Sequence, residues 1–210
     1  MENLNNLYNA ILSGNLKVAV ETSKEAMSKG CDPQQLINEY MAAAMREIGQ
    51  RFEAGKAFVP ELLMAARAMK GALEVLKPYL VSSGAIALGK VVIGTVKGDL
   101  HDIGKNLVAS MLEGSGFEVI NLGVDISAEK FVAAVKEHQA QIVCLSALLT
   151  TTMEYMRTIV KALEDNGLRN QVKVMVGGAP ISEAFARQIG ADGYSENANS
   201  AVALARSLVA

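Results

Sequence analysis

The chain has 210 residues, half of them hydrophobic, which suffices for one large domain or two small ones with a substantial core. Its 20 Lys and Arg residues and 22 Asp and Glu residues give a formal charge of −2, which argues against nucleic acid or an anionic membrane as the main partner. The sequence has no uninterrupted apolar run of about 18 residues and no signal-peptide pattern, and its two cysteines, Cys31 and Cys144, lie far apart. We therefore expect a cytoplasmic protein with reduced thiols.

The first part of the chain, to about residue 80, has the apolar spacing of amphipathic helices. In the first segment, Leu4, Leu7 and Ile11 recur at intervals of three and four. Asp32 followed by Pro33 predicts a helix start, with Asp as the N-cap and Pro at the first helical position. Four helices are predicted, over about 4–12, 16–28, 33–48 and 61–76, and their short connections predict an antiparallel four-helix bundle.

The segment 78–89 contains proline, serines and glycines, and it is the best candidate for a boundary between a domain at 1–88 and a domain at 89–210. After it, short β-branched runs alternate with helical segments. Strands are predicted at 91–96, 117–123, 142–147, 173–178 and, more weakly, 193–195, with helices at 103–113, 128–138, 152–166, 182–189 and the C-terminus. This alternation predicts an α/β domain with a parallel five-stranded sheet, whose strand-end loops build the binding site.

The loop after the first strand, KGDLHDIGKN at 97–106, contains Asp99, His101 and Gly104. A neutral imidazole is a common metal ligand, and Asp99 is placed to accept the other ring N–H and select the tautomer. Gly104 permits close approach of a bulky ligand. The alternative is an ordinary turn with Asp as a cap and His on the surface. A lone histidine suits zinc poorly, but it suits a metal whose other positions a macrocycle fills.

The third and fourth strands end in further polar or small residues. Four hydroxyls, those of Ser146, Thr150, Thr151 and Thr152, follow the third strand, although one would suffice to cap a helix. The surplus predicts hydrogen bonds to a ligand or to another loop. Gly177 and Gly178 follow the fourth strand, either as a simple turn or as space for a flat group.

Three motifs in order, DLHDIG at 99–104, SALLT at 146–150 and GG at 177–178, resemble the Asp-x-His-x-x-Gly, Ser-x-Leu and Gly-Gly signature of B12-binding domains. The first half resembles the helical cap of that family, notably in FEAGKAFVPELLMAARAMK at 52–70. The resemblance is closest to the corrinoid proteins of methanol, methylamine and methoxy-aromatic methyltransferase systems and to the cobalamin module of methionine synthase. It implies a four-helix cap followed by a flavodoxin-like, Rossmann-type cofactor domain.

The resemblance also implies a cobalamin or related corrinoid with His101 as the lower axial ligand of cobalt. Asp99 would hold the imidazole and Thr152 would bind Asp99, a relay that couples proton uptake to the change in coordination. We expect Asp99 and Thr152 to lie in exposed strand-end loops. The implied cofactor contacts are Gly98, Asp99, Leu100, His101, Asp102, Ile103, Gly104, Ser146, Leu148, Thr150, Gly177 and Gly178. An apolar cover for the methyl group would comprise Phe52, Val59 and Leu63, whose alternative role is core packing.

The implied function is that of a methyl carrier without activity of its own. Cobalt(I) would accept a methyl group from a substrate-specific methyltransferase, and methyl-cobalt(III) would donate it to a corrinoid:tetrahydrofolate or thiol methyltransferase. A reductive activase is a further expected partner. The alternatives are the B12 subunit of a carbon-skeleton mutase, which resembles only the second half, and a B12-dependent regulator. Regulators usually add a DNA-binding domain and a cap tryptophan, whereas this chain contains no tryptophan. A purely structural flavodoxin-like module is the remaining alternative.

Overall fold

The computed structural model describes residues 2–82 and 88–209. They form two compact units: the helical first half together with Ser110–Gly116, and a second unit of Leu88–Ala109 and the chain from Phe117 onward. Residues 83–87 of the predicted connection lie outside the described residues. The boundary between residues 88 and 89 stays a prediction.

The helical unit has the predicted order of helices. Capping side chains mark the start of two of its helices, since the side chain of Asn15 accepts from Val18 N–H and that of Asp32 accepts from Gln34 N–H. The fully buried side chains Leu7, Ile11 and Leu62 are part of its core. The elements are α1 (Glu2–Leu12), α2 (Leu16–Ser28), α3 (Pro33–Gln35), a π-helical segment (Leu36–Met41), α4 (Ala42–Glu53) and α5 (Val59–Ser82).

The helix α5 is longer than predicted at both ends. It begins at Val59 because Pro60 occupies the first turn and the Glu61 carboxylate accepts from Phe58 N–H, at 2.8 Å. It continues past Pro78 to Ser82, so the prediction of a connection from residue 78 was wrong. Proline removes one backbone hydrogen bond, but the packing of a buried helix face can outweigh this local signal.

The second unit contains a five-stranded parallel sheet in the order β2-β1-β3-β4-β5, which confirms the predicted α/β fold. This is the order of flavodoxin-like folds. Thr95 pairs with Ser146, and Ser146 pairs with Gly177, so three strands end in register at one edge. The strands are β1 (Lys90–Thr95), β2 (Glu118–Asn121), β3 (Ile142–Ser146), β4 (Lys173–Gly177) and β5 (Gly193–Tyr194).

Helices follow every strand of this sheet. They are α6 (Ile103–Gly114), α7 (Ala128–His138), α8 (Thr150–Met153), α9 (Tyr155–Asp165), α10 (Glu183–Gln188) and α11 (Ala198–Val209). The single helix predicted at 152–166 is thus two helices, α8 and α9. Throughout 2–82 and 88–209, every helix is too short or too polar to cross a bilayer.

Candidate cofactor site at the carboxyl edge of the sheet

The loop between β1 and α6 is folded back on the end of its own strand. The Thr95 hydroxyl donates to the His101 carbonyl at 2.8 Å, and Asp99 N–H donates to the Val96 carbonyl at 3.1 Å. Gly98 adopts a φ of +83°, a conformation that glycine takes without strain. These contacts bring Asp99 and His101 back over the edge of the sheet.

The Asp99 carboxylate is the centre of the site and accepts hydrogen bonds on both oxygens. Oδ1 accepts from the backbone N–H of His101 at 3.1 Å and lies 2.7 Å from His101 Nδ1. Oδ2 accepts from the N–H groups of Leu148 and Leu149, at 2.8 and 3.4 Å, and from the Thr152 hydroxyl at 2.8 Å. Asp99 is 0% exposed and Thr152 is 8% exposed, so the expectation that both lie in exposed loops was wrong. The β3–α8 loop covers the carboxylate, and the spacing of residues along the sequence does not show this.

These donors keep Asp99 ionised. Burial opposes ionisation and raises the pKa of the carboxyl, but the hydrogen bonds from Leu148, His101 and Thr152 outweigh it. The pKa of Asp99 therefore lies well below its ordinary value of 3.8. A buried carboxylate that holds its charge favours a donating N–H on the imidazole beside it.

His101 presents its ring to solvent, with 51% of the side chain exposed. Because Nδ1 faces the Asp99 carboxylate, the neutral ring carries its proton on Nδ1 and leaves the Nε2 lone pair free to bind a metal. This is the tautomer that a carboxylate selects in a metal-ligating histidine. The arrangement therefore suits His101 as a single axial ligand.

The hydroxyl residues after β3 have different surroundings. The Thr152 hydroxyl lies within hydrogen-bonding distance of both Asp99 Oδ2 and the Leu149 carbonyl, and the charged acceptor is the stronger one. Thr152 thus binds another loop, whereas Thr150 is exposed and Ser146 is half-buried at the end of β3. Contacts of Ser146 and Thr150 with a cofactor stay a prediction.

Exposed apolar side chains lie near His101 in the chain and in the loop whose N–H groups bind Asp99. Leu100 and Ile103 are 72% and 85% exposed, and Leu148 and Leu149 of the facing loop are about half as exposed. Exposed leucine and isoleucine side chains around one polar ligand form the kind of surface that a large, flat, partly apolar group covers. Asp102 is also exposed here. Leu149 was not among the predicted contacts, although it neighbours the Ser-x-Leu motif.

In the helical unit, the three predicted cover residues are not fully buried. Val59 and Leu63 lie one turn apart on α5 and are 38% and 40% exposed, and Phe52 is half-buried on α4. Full burial in the core therefore does not account for Val59 and Leu63. The role of all three toward a cofactor stays a prediction.

The two glycines after β4 are constrained by the protein itself. A Cβ on Gly178, whose φ is +131°, would lie 1.8 Å from the Ala147 carbonyl oxygen. A Cβ on Gly177 would lie 3.2 Å from the carbonyl oxygen of Ser195. Close packing of the strand-end loops is thus enough to require glycine at 178, and space for a nucleotide tail stays a prediction.

Gly104 differs, because a Cβ there would meet no protein atom within 4 Å. We therefore expect Gly104→Ala to leave the cofactor-free protein folded, or to stabilise α6 by up to about 1 kcal/mol, while weakening corrinoid binding. Gly178→Ala should instead unfold the cofactor-free protein at a much lower temperature because of its backbone clash. Thermal unfolding and corrinoid titration measure the two effects. Unchanged corrinoid affinity in Gly104→Ala would contradict close approach of the ligand at this residue.

Sequence reasoning missed a polar group beneath the start of α6. Lys105 is 3% exposed, and its ammonium donates to the side-chain oxygens of Asn106 and Asn121. Burial lowers the pKa of Lys105, and the charge of Asp102 opposes this shift. The position of Lys105 directly after the motif residue Gly104 was the signal that could have indicated a role at this site. The spacing of apolar residues in the sequence did not indicate that Lys105 is buried.

The residues present fit a corrinoid. One imidazole nitrogen is directed by a buried carboxylate, the other is available as an axial ligand, and the macrocycle itself would supply the remaining cobalt ligands. Exposed apolar side chains lie in the same two loops, and open space lies in front of Gly104. Each feature lies in a strand-end loop or at the start of α6, at the same edge of the sheet.

Comparisons with known proteins give the family of this chain. Two family models described as B12 binding domain match residues 89–203 and 4–77. A trimethylamine corrinoid protein of Methanosarcina mazei is 46% identical over 197 residues, 93% of this chain and 90% of that protein. A dimethylamine corrinoid protein of Methanosarcina barkeri is 44% identical over 211 residues, 100% of this chain and 98% of that protein. The crystal structure of a methanol:cobalamin methyltransferase complex from Methanosarcina barkeri matches with a TM-score of 0.83 and 32% identity, over 99% of this chain and 80% of that chain.

The chain therefore belongs to the family of B12-binding corrinoid proteins. The predicted cofactor, cobalamin or a related corrinoid, and the predicted order of a helical half followed by a flavodoxin-like domain are confirmed.

Proposed function

We propose that this protein is a methyl carrier that presents a corrinoid to partner methyltransferases. The observation that carries the proposal is the buried, ionised Asp99, 2.7 Å from Nδ1 of the exposed His101. This pair leaves Nε2 available to hold the cobalt of a corrinoid. When bound, the corrinoid supplies a cobalt centre that holds and releases the methyl group.

The residues of the chain bind the cofactor and orient its ligand. His101 would hold the cobalt through Nε2, Asp99 would keep the ring in its tautomer and orientation, and Thr152 completes the hydrogen bonds of the carboxylate. Asp99, His101 and Thr152 would thus form the proposed relay behind the metal.

The remaining predicted residues are proposed contacts around this centre. The His101 loop and the ends of β3 and β4 would face the ring and its tail, through Gly98, Leu100, Asp102, Ile103, Gly104, Ser146, Leu148, Thr150, Gly177 and Gly178. The helical residues Phe52, Val59 and Leu63 would shield the methyl group. We place the boundary between the two domains at residues 88 and 89.

We propose methylated amines as the methyl donors, handled by a substrate-specific methyltransferase. Relatives named for trimethylamine and dimethylamine are 44–46% identical over nearly the whole chain, whereas the methanol complex is 32% identical. That complex supports a methyltransferase partner. A second methyltransferase with a tetrahydrofolate or thiol acceptor and a reductive activase complete the proposal.

Family matches over the helical half favour a carrier over a mutase subunit, since the mutase subunits resemble only the second half. A cytoplasmic location stays a prediction.

The proposal predicts that the protein is inactive alone. We expect the reduced holoprotein, incubated with trimethylamine, dimethylamine, methanol or vanillate, to show no change in the visible absorption of its cobalt centre. Addition of a trimethylamine- or dimethylamine-specific methyltransferase should produce the change with the matching amine. Rapid methylation of the lone protein would contradict the carrier role. A response to methanol or vanillate with their own methyltransferases, and to neither amine, would contradict only the donor class.

A further inference from the structure

The loop between β2 and α7, residues 122–127, holds the His101 loop from the neighbouring strand. Asp125 N–H donates to the Asp99 carbonyl at 3.1 Å, and Gly98 N–H donates to Asp125 Oδ1 at 2.7 Å. Asp125 therefore binds the backbone on both sides of the Asp99 α-carbon. Both bonds reach across 26 residues of sequence or more.

The backbone of Asp125 is in an unusual conformation that makes this double contact possible. Its φ is +55°, in the left-handed region that non-glycine residues rarely adopt and that Asp and Asn tolerate best. Within 2–82 and 88–209, Gln139 is the one other non-glycine residue with a positive φ, and it caps the end of α7. Asp125 has no such helix-ending role.

The loop is anchored at both ends, so it can hold Asp125 in this conformation. At its start, Asn121 Oδ1 accepts from Gly123 N–H at 3.0 Å and from the buried Lys105 ammonium at 2.8 Å. At its end, Ile126 N–H donates to the Thr95 carbonyl at 3.0 Å. The side chain of Asp125 is exposed, so its removal leaves no cavity in the core.

We propose that Asp125 is a positioning residue for cobalt ligation. Its carboxylate binds the N–H of the Lys97–Gly98 peptide group, and its backbone N–H binds the carbonyl of the Asp99–Leu100 peptide group. These two bonds hold the loop before and after Asp99, and this fixes the direction in which Asp99 holds the His101 ring. This role rests on the proposed function, because it assumes that His101 is the axial ligand.

Three variants separate the side-chain acceptor from the backbone conformation. Asp125→Gly keeps the left-handed φ without strain but removes the acceptor, whereas Asp125→Asn keeps both an Oδ1 acceptor and tolerance of the conformation. Asp125→Ala removes the acceptor and adds strain. Corrinoid affinity is measured by titration, and the His-ligated fraction from nitrogen splitting in the electron paramagnetic resonance spectrum of the cobalt(II) holoprotein. Exchange of the Gly98 amide proton is followed by NMR in the cofactor-free protein.

We expect Asp125→Gly to lose about tenfold in corrinoid affinity, the lower end of the effect typical for residues behind a metal ligand. Its His-ligated fraction should fall and the Gly98 amide should exchange faster, while its unfolding temperature stays near that of the wild type. Asp125→Asn should keep the corrinoid affinity and the His-ligated fraction of the wild type. Asp125→Ala should lose at least as much affinity as Asp125→Gly.

Wild-type affinity, ligation and Gly98 exchange in Asp125→Gly would overturn the positioning role and leave the proposed function intact. An equal loss in Asp125→Asn would also overturn it, since the acceptor is retained there. Absence of nitrogen splitting in the wild type would contradict the proposed function, and the role of Asp125 with it.

Discussion

Replacing His101 by Ala should abolish nitrogen ligation of cobalt. The wild-type cobalt(II) holoprotein should show splitting from one axial nitrogen in its electron paramagnetic resonance spectrum, because Asp99 directs the free Nε2 toward the ligand position. Loss of a residue behind a metal ligand typically weakens binding by roughly 10–100-fold. Loss of the ligand itself should weaken corrinoid binding by at least as much. The tail contacts would remain, so we expect some binding to persist.

The second histidine of the chain is the matched control. The chain contains two histidines, and His138 is the last residue of α7, away from the strand-end loops. His138→Ala should keep both the splitting and the affinity. Unchanged splitting in His101→Ala would show that another group ligates cobalt, and the site assignment would be wrong.

Asp99→Asn should disturb ligation almost as strongly, although it preserves the size of the side chain. Every group facing the carboxylate is a hydrogen-bond donor: the N–H groups of His101, Leu148 and Leu149, the imidazole and the Thr152 hydroxyl. The amide of Asn must turn its NH₂ either toward the His101 groups, which face Oδ1 in the wild type, or toward the Leu148, Leu149 and Thr152 groups, which face Oδ2. If the NH₂ faces the imidazole, Nδ1 becomes the acceptor and the proton moves to Nε2, which then cannot bind cobalt.

We therefore expect Asp99→Asn to lose most of the nitrogen splitting and about 10–100-fold in corrinoid affinity. Thr152→Val should have a smaller effect in the same direction, and Thr152→Ser, which keeps the hydroxyl, should restore ligation. Full histidine ligation in Asp99→Asn would reduce Asp99 to a structural cap of the loop.

The same substitution should change how stability depends on pH. The pKa of Asp99 is lowered in the folded protein from its ordinary value of 3.8, so the unfolded chain binds more protons at a pH between the two pKa values. The stabilisation by the carboxylate is thus fully present above the ordinary pKa and is lost progressively as the pH falls toward the folded pKa. Near pH 7 we expect the cofactor-free Asp99→Asn protein to be less stable by about 1–3 kcal/mol, the cost of a buried donor without its acceptor.

Urea unfolding of both cofactor-free proteins between about pH 3 and pH 7 measures this difference, which should shrink at the acid end. Asp165→Asn is the control, because Asp165 is 60% exposed and pairs with Lys161 at the surface. Its effect should stay within about 0.5 kcal/mol at every pH. A difference for Asp99→Asn that does not vary with pH would contradict a lowered pKa at Asp99.

The sequence by itself determined the order of helices and strands, the parallel sheet, the family and the cofactor, since alternation and motif spacing are local properties of the chain. Only the tertiary structure decided the environment of the ligand. Asp99 is buried because donors about 50 residues away, Leu148 and Thr152, are brought to it by the pairing of β1 with β3. Asp125 reaches the same loop because β2 lies on the other side of β1. Hydrogen bonds between loops depend on strand order and register, which no short pattern of residues encodes.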